Sequence, residues 1–184
     1  MTAALESLFR YQAWANAAFF DKLEALDADT HGDERRRAIR LLSHSHAVAE
    51  IFAAHLAGRE HGYDGVDGDE TPDVAALRAA VTVSDRWYLD FVRGTTQAAL
   101  SEEVAFRFTD GDKGFMSREE MLWHVVLHSG YHRGEIGRIL MQVPSEAPWD
   151  TFAVFLHQDQ PERRHQDEPD RAPASSGRAA ALSH

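Results

Sequence analysis

The chain has 184 residues, a formal net charge of -11, no cysteine and eleven histidines. That length suits one domain with a real core, and 43% hydrophobic against 27% charged residues is an ordinary globular balance. The missing cysteine excludes disulfides, thiolate metal sites, iron–sulfur clusters and a cysteine nucleophile, and the acidic charge disfavours nucleic acid and anionic membrane as partners. No apolar run approaches the roughly 18–20 residues of a membrane span. The N-terminus lacks the basic start and apolar core of a secretory leader. A cytoplasmic protein is therefore expected.

Apolar residues spaced by three or four (Leu5, Leu8, Tyr11, Ala15, Phe19, Leu23, Leu26) predict a first helix over roughly 2–26. A second is predicted over roughly 34–58, stopped by Gly58. Residues 61–70, "HGYDGVDGDE", read as a Gly/Asp loop. The third helix is expected to open with Thr71 as N-cap and Pro72 at its first position. Its stripe is Val74, Leu77, Val81, Ser84, Tyr88 and Phe91, and Gly94 is its stop. Val104, Phe106 and Phe108 then alternate ahead of an Asp110-Gly111 turn, which predicts a short hairpin or irregular loop. Ser117-Arg118-Glu119-Glu120 is a capping-box pattern opening a fourth helix that runs to about Gln142. The apolar stretch 149–158 is expected to pack back on the body. From Gln158 to His184 the apolar residues are nearly all alanine among Pro, Ser, Gly and charges, a composition that reads as a disordered tail. A weak helical turn is conceivable only near Arg178–Leu182. The expected organisation is a domain over 1–157 and a tail over 158–184. The expected fold is all-α, an up-down-up-down four-helix bundle with a short hairpin or irregular loop between helices 3 and 4.

A helical wheel sorts the histidines at ~100° per residue. In helix 2, His44 falls inside the apolar stripe of Leu41, Val48 and Ile51. His46 falls ~200° away, toward solvent, where Glu50 can pair with it. His55 shares the inward face but lies ~16 Å along the axis from His44. In helix 4, His128 and His132 sit within the stripe of Met121, Val125 and Ile136, and His124 lies at its edge. Two histidines at i and i+4 on one face have the spacing needed to chelate a metal. Ser129 stands where a zincin has its glutamate general base, which argues against a zincin-type protease. Spacing alone leaves metal ligation and ordinary core hydrogen bonding both open. Inward His44 on a facing helix makes a set of three imidazoles, with room for an open coordination position. Glu135 is a candidate to brace a ligand, although an ion pair with Arg138 fits it as well. Arg133 points ~100° away from His132, toward a structural ion pair. Tyr11, Trp14, Phe52, Tyr88 and Tyr131 are candidates for pocket lining or for plain core packing. Arg35, Arg36, Arg37 and Arg40 read as a solvated helix face.

"RYQAWANAAFF" (10–20), "LLSHSHAVAEIFAAHL" (41–56) and "MSREEMLWHVVLHSGYHRGEIGRIL" (116–140) resemble the DinB/YfiT-like family of metal-dependent four-helix-bundle proteins. The resemblance covers roughly 4–157. By position it implies His44, His128 and His132 as ligands of one divalent metal ion, zinc or nickel, and a homodimer. Some relatives transfer low-molecular-weight thiols to electrophiles or isomerise small acids with a thiol cofactor, and many have no assigned activity. The implied function is a small metalloenzyme whose three-histidine centre activates water or an external low-molecular-weight thiol, as a hydrolase or thiol S-transferase acting on a small molecule. The rival is a metal-binding stress-response protein without turnover. A third reading is a helical bundle with satisfied core histidines and no metal.

Overall fold

A computed structural model describes residues 2–66, 70–109 and 111–163. Four long helices carry the core: α1 (Thr2–Ala25), α2 (Gly32–Leu56), α3 (Val74–Gly94) and α5 (Arg118–Leu140). A single turn, α4 (Gln97–Leu100), and an antiparallel pair, β1 (Glu103–Arg107) with β2 (Lys113–Ser117), lie between α3 and α5. A short α6 (Phe152–Asp159) follows. The protein is thus predominantly helical, and the predicted hairpin is present. Gly111 turns it at φ 95°, a conformation that suits glycine. Asp110, His165, His184 and the segment 178–182 lie outside the described residues.

Helix ends follow local chemistry. At α2 the chain closes with Gly58 at φ 64°. The Gly58 N–H donates to the His55 carbonyl and the Arg59 N–H to the Ala54 carbonyl. This is the left-handed C-terminal cap that a glycine permits. At α5 the expected capping box forms: the Glu120 N–H donates to Ser117 Oγ, and the Ser117 N–H donates to Glu120 Oε2 at 2.7 Å. The start of α3 differs from expectation. Asp73, not Thr71, is the N-cap, and its carboxylate accepts from the Ala76 N–H at 2.9 Å. Aspartate is a stronger cap than threonine, so the helix opens two residues later and Pro72 stays outside it.

Two apolar clusters divide the core along the helix axes. One holds Leu5 and Phe9 of α1, Phe52 and Leu56 of α2, Tyr88 and Val92 of α3, and Met121 and Leu122 of α5. The other holds Phe19 and Leu23, Ile39 and Leu42, Leu77 and Val81, and Ile136 and Leu140. Between them lies a buried polar layer of Gln12, Asn16, Ser45, Ser84, Asp85, Ser129 and Arg133. The order in which each helix meets the two clusters gives its direction. From their N-termini, α1 and α5 pass from the first cluster to the second, whereas α2 and α3 pass from the second to the first. The alternating up-down-up-down order is therefore corrected: α2 and α3 run the same way. The reason is the connection between them. It covers 57–73, long enough when extended (roughly 3.3 Å per residue) to return along the whole length of a helix.

The C-terminal segment packs back as expected. Helix α6 lies on α1, where Phe155 is buried and rings of Tyr11 and Trp14 approach it at 6.0 and 5.8 Å. An ion pair between Arg10 and Asp159 closes that contact. Among the described residues no helix is long and apolar enough to cross a membrane.

Candidate metal centre

The polar layer places His44 of α2 opposite His128 and His132 of α5. These helices pack directly on each other. Between them two hydroxyls, Ser45 Oγ and Ser129 Oγ, meet at 3.0 Å, both buried. Small side chains there let the helices approach, and each serine is the sequence neighbour of a site histidine. His44 Nε2 lies 3.2 Å from His128 Nε2, and His132 Nε2 lies 3.1 Å from the same atom. All three ligand-capable nitrogens fall within 4.8 Å of one another. Nitrogens bound at ~2.1 Å to one tetrahedral ion are ~3.4 Å apart, so the spacing fits a single first-row cation.

Protonation supports the same arrangement. His132 Nδ1 is 2.7 Å from Glu135 Oε2. A carboxylate can only accept, so Nδ1–H donates to it, and Nε2 turns its lone pair toward the other two rings. Burial and the facing imidazoles push the proton affinity of His128 down, to a pKa of about 4. Clustered lone pairs with no room for protons suit a cation. The structure thus brings His44, His128 and His132 together and sets Glu135 against His132. Among the described residues no other group of His, Asp or Glu converges in this way.

The remaining candidates separate. His124 stays outside the triad, its ring tilted 4.6 Å from Phe52 and stacked 5.5 Å from His128. His46, expected to face solvent, is half-buried, and burial lowers its pKa against the pull of Glu50. It lies off the apolar stripe of α2, but side chains of α1 and α3 border that flank too. Arg133 makes the structural pair expected of it. It is 1% exposed, donates from Nε to Asp150 Oδ2 at 2.8 Å and from Nη1 to Asn16 Oδ1 at 3.3 Å. Tyr88 is core, fully buried, with its hydroxyl donating to the Ala49 carbonyl at 2.6 Å. Tyr11 and Trp14 pack on α6, and Tyr131 is exposed with its ring 5.1 Å from His132. Only Phe52 of the five aromatic candidates lines a cavity beside the triad. The arginines of α2 partner locally: Arg36 with Asp33, Arg37 with Glu34, Arg35 with the Leu23 carbonyl and Arg40 with Thr71.

Among the described residues, cavities reach the triad from two sides. One, of about 270 Å³, meets His44 and His128 and is walled by α2, α5 and β1. The other, of about 370 Å³, meets His44 and His132 beside Arg37 and Arg40. A buried carboxyl elsewhere in the polar layer was not anticipated. Asp85 accepts from Asn16 Nδ2 at 3.1–3.2 Å and from Gln12 Nε2 at 3.4 Å. The signal was available: Gln12 and Asn16 are polar residues four apart, inside the apolar face of helix 1.

A family model described as DinB family matches residues 1–167. "Protein DinB" of Bacillus subtilis (strain 168) is 27% identical over 172 residues, which cover 85% of this chain and 95% of that protein. No solved structure matches the chain.

Proposed function

The chain belongs to the DinB family, and from that premise we propose that it is a metal-binding protein with a centre made by His44, His128 and His132. The observation that carries the reading is the convergence of the three Nε2 atoms, two pairs of them 3.1 and 3.2 Å apart, at the middle of a helical core. A divalent ion, zinc or nickel, fits three neutral imidazoles and leaves a coordination position open. Such an ion supplies Lewis acidity, which lowers the pKa of water or of a thiol that reaches it. The chain's own residues do the rest. His44 holds the α2 side, His128 and His132 hold the α5 side, and Glu135 keeps the proton of His132 on Nδ1. Without cysteine in the sequence, any thiol nucleophile comes from an external low-molecular-weight compound.

The reading is a hydrolase or thiol-dependent transferase of a small molecule, on an up-down-down-up four-helix bundle formed by residues 1–157. It extends to a homodimer in the cytoplasm. Two cavities beside the triad favour turnover over the alternative, a metal-binding stress-response protein. The decisive experiment is metal analysis of protein purified without an affinity tag, repeated for His44→Ala, His128→Ala and His132→Ala. Near-stoichiometric metal that each substitution abolishes is the expected result. Full occupancy after His128→Ala would refute the ligand assignment. A screen of electrophiles with bacterial thiols, with and without metal, then separates enzyme from binding protein.

A further inference from the structure

The cavity on the His128 side has its own chemistry. Its walls are Val48, Ile51 and Phe52 of α2, Val66 of the following loop, and Phe106 and Phe108 of the hairpin. The rings interlock: Phe52 and Phe106 lie 6.1 Å apart, and Phe106 and Phe108 4.8 Å apart. Into this apolar wall projects His55, whose Nε2 is buried without a hydrogen-bond partner. Its ring is 5.1 Å from that of Phe106. A buried nitrogen of this kind costs free energy unless a ligand or water satisfies it. The described residues lining the cavity include histidines, Arg107 and Thr109 but no carboxylate.

The hairpin wall is built around one glycine. Gly114 pairs with Phe106 across the strands. A Cβ added there would come within 2.8 Å of Phe108 Cε2 and 3.3 Å of Phe106 Cζ. Both rings therefore rest over a position that only a missing side chain leaves open. Any larger residue forces the Phe108 ring, and with it this wall, to shift.

From this juxtaposition the geometry points to a substrate chamber for a compact, largely apolar molecule, aryl or short alkyl. Such a molecule is neutral or anionic and carries one hydroxyl or carbonyl group read by His55 Nε2. It lies against Phe52 and Phe106 and reaches the metal centre from the His44–His128 face, a statement that rests on the metal-binding reading above. The volume agrees: about 270 Å³ exceeds the roughly 150 Å³ of a dry cavity that takes benzene. Cations are disfavoured, because nothing in the described lining offsets their charge.

The test uses benzyl alcohol and toluene as probes, on metal-free and zinc-loaded full-length protein, followed by NMR. Benzyl alcohol is expected to contact the Phe52 and Phe106 rings in both forms. Gly114→Val is expected to weaken both probes by about tenfold or more, because Phe106 and Phe108 can no longer keep the places they hold in the chamber wall. His55→Phe keeps an aromatic ring and removes the nitrogen. It is expected to shift the ratio of the two affinities about tenfold toward toluene. This second variant carries the test if Gly114→Val fails to fold. No ring contacts in a protein that holds stoichiometric zinc would overturn the chamber and leave the metal centre standing. An unchanged affinity ratio in His55→Phe would overturn the role given to His55. Ring contacts in a protein that takes up no zinc would overturn the metal centre and leave the chamber standing.

Discussion

Asp85 offers a direct measurement of what the buried polar layer costs. Its carboxyl is buried among Gln12, Asn16 and Ser84, and desolvation raises its pKa from 3.8 to about 6 against the pull of the two amides and Arg133. A raised pKa means that the folded protein binds a proton more tightly than the unfolded chain. The associated stability is present below pH ~4 and is lost as pH rises through about 6. Two pH units at about 1.4 kcal/mol each make the loss about 3 kcal/mol. His128 works in the opposite sense. Its pKa is depressed to about 4, so its contribution is lost as pH falls. The pH curve of the wild-type protein alone would therefore blur the two. Asp85→Asn isolates the acid, because the amide keeps one oxygen for both Asn16 and Gln12 and has no proton to titrate in this range. Urea unfolding of both metal-free proteins between pH 4 and pH 7 gives the difference curve. The stability of Asp85→Asn relative to wild type should rise by about 3 kcal/mol over that interval and level off above pH ~6.5. A flat difference would refute the reasoning, since it would mean that Asp85 titrates like an ordinary carboxyl. A falling difference would mean that Arg133 stabilises the anion more than burial opposes it.

Arg133→Met should cost about 3–5 kcal/mol in urea unfolding, because Asp150 loses its buried partner; a loss under ~1 kcal/mol would show that the pair holds nothing. Glu135→Ala should weaken metal binding about 10–100-fold in a chelator competition, because His132 loses the acceptor that orients it; unchanged affinity would remove Glu135 from the site. Acidification should empty the centre, since every ligand imidazole must be neutral. At about pH 4, well below the ordinary imidazole pKa of about 6.5, a chromogenic chelator should recover far more metal than at neutral pH; an unchanged yield would count against three histidines.

What could be read from sequence follows from how local each signal is. The capping box at Ser117 and Glu120 is contained in four residues and formed as written. The stripes of α1, α2 and α5 report which face is buried, so the wheel could single out His44, His128 and His132, which the structure brings together. The shared direction of α2 and α3 was not legible, because a helix stripe reads the same from either end and a Gly/Asp loop does not say where it returns. The start of α3 was missed by choosing Thr71 over a nearby stronger cap, Asp73. The chamber was hidden for another reason. Alternation at Phe106 and Phe108 announced strand, but that the Phe106 ring faces His55 and Phe52 depends on tertiary docking of the hairpin. The shift at Asp85 likewise depends on three helices meeting.

The pairing of Arg133 with Asp150 has a consequence for its immediate neighbour. Successive residues on a helix are locked ~100° apart, so a side chain clamped on one flank sets the rotational phase of the whole turn. The guanidinium is held by Asp150 and Asn16 and stacks over Tyr11 at 5.4 Å, all on the side away from the triad. Any axial roll of α5 that moved His132 off His44 would have to drag that buried cation out of its clamp. The angular tolerance of the metal centre is thus governed from behind, by a residue that never touches it and by an aspartate seventeen positions further along the chain.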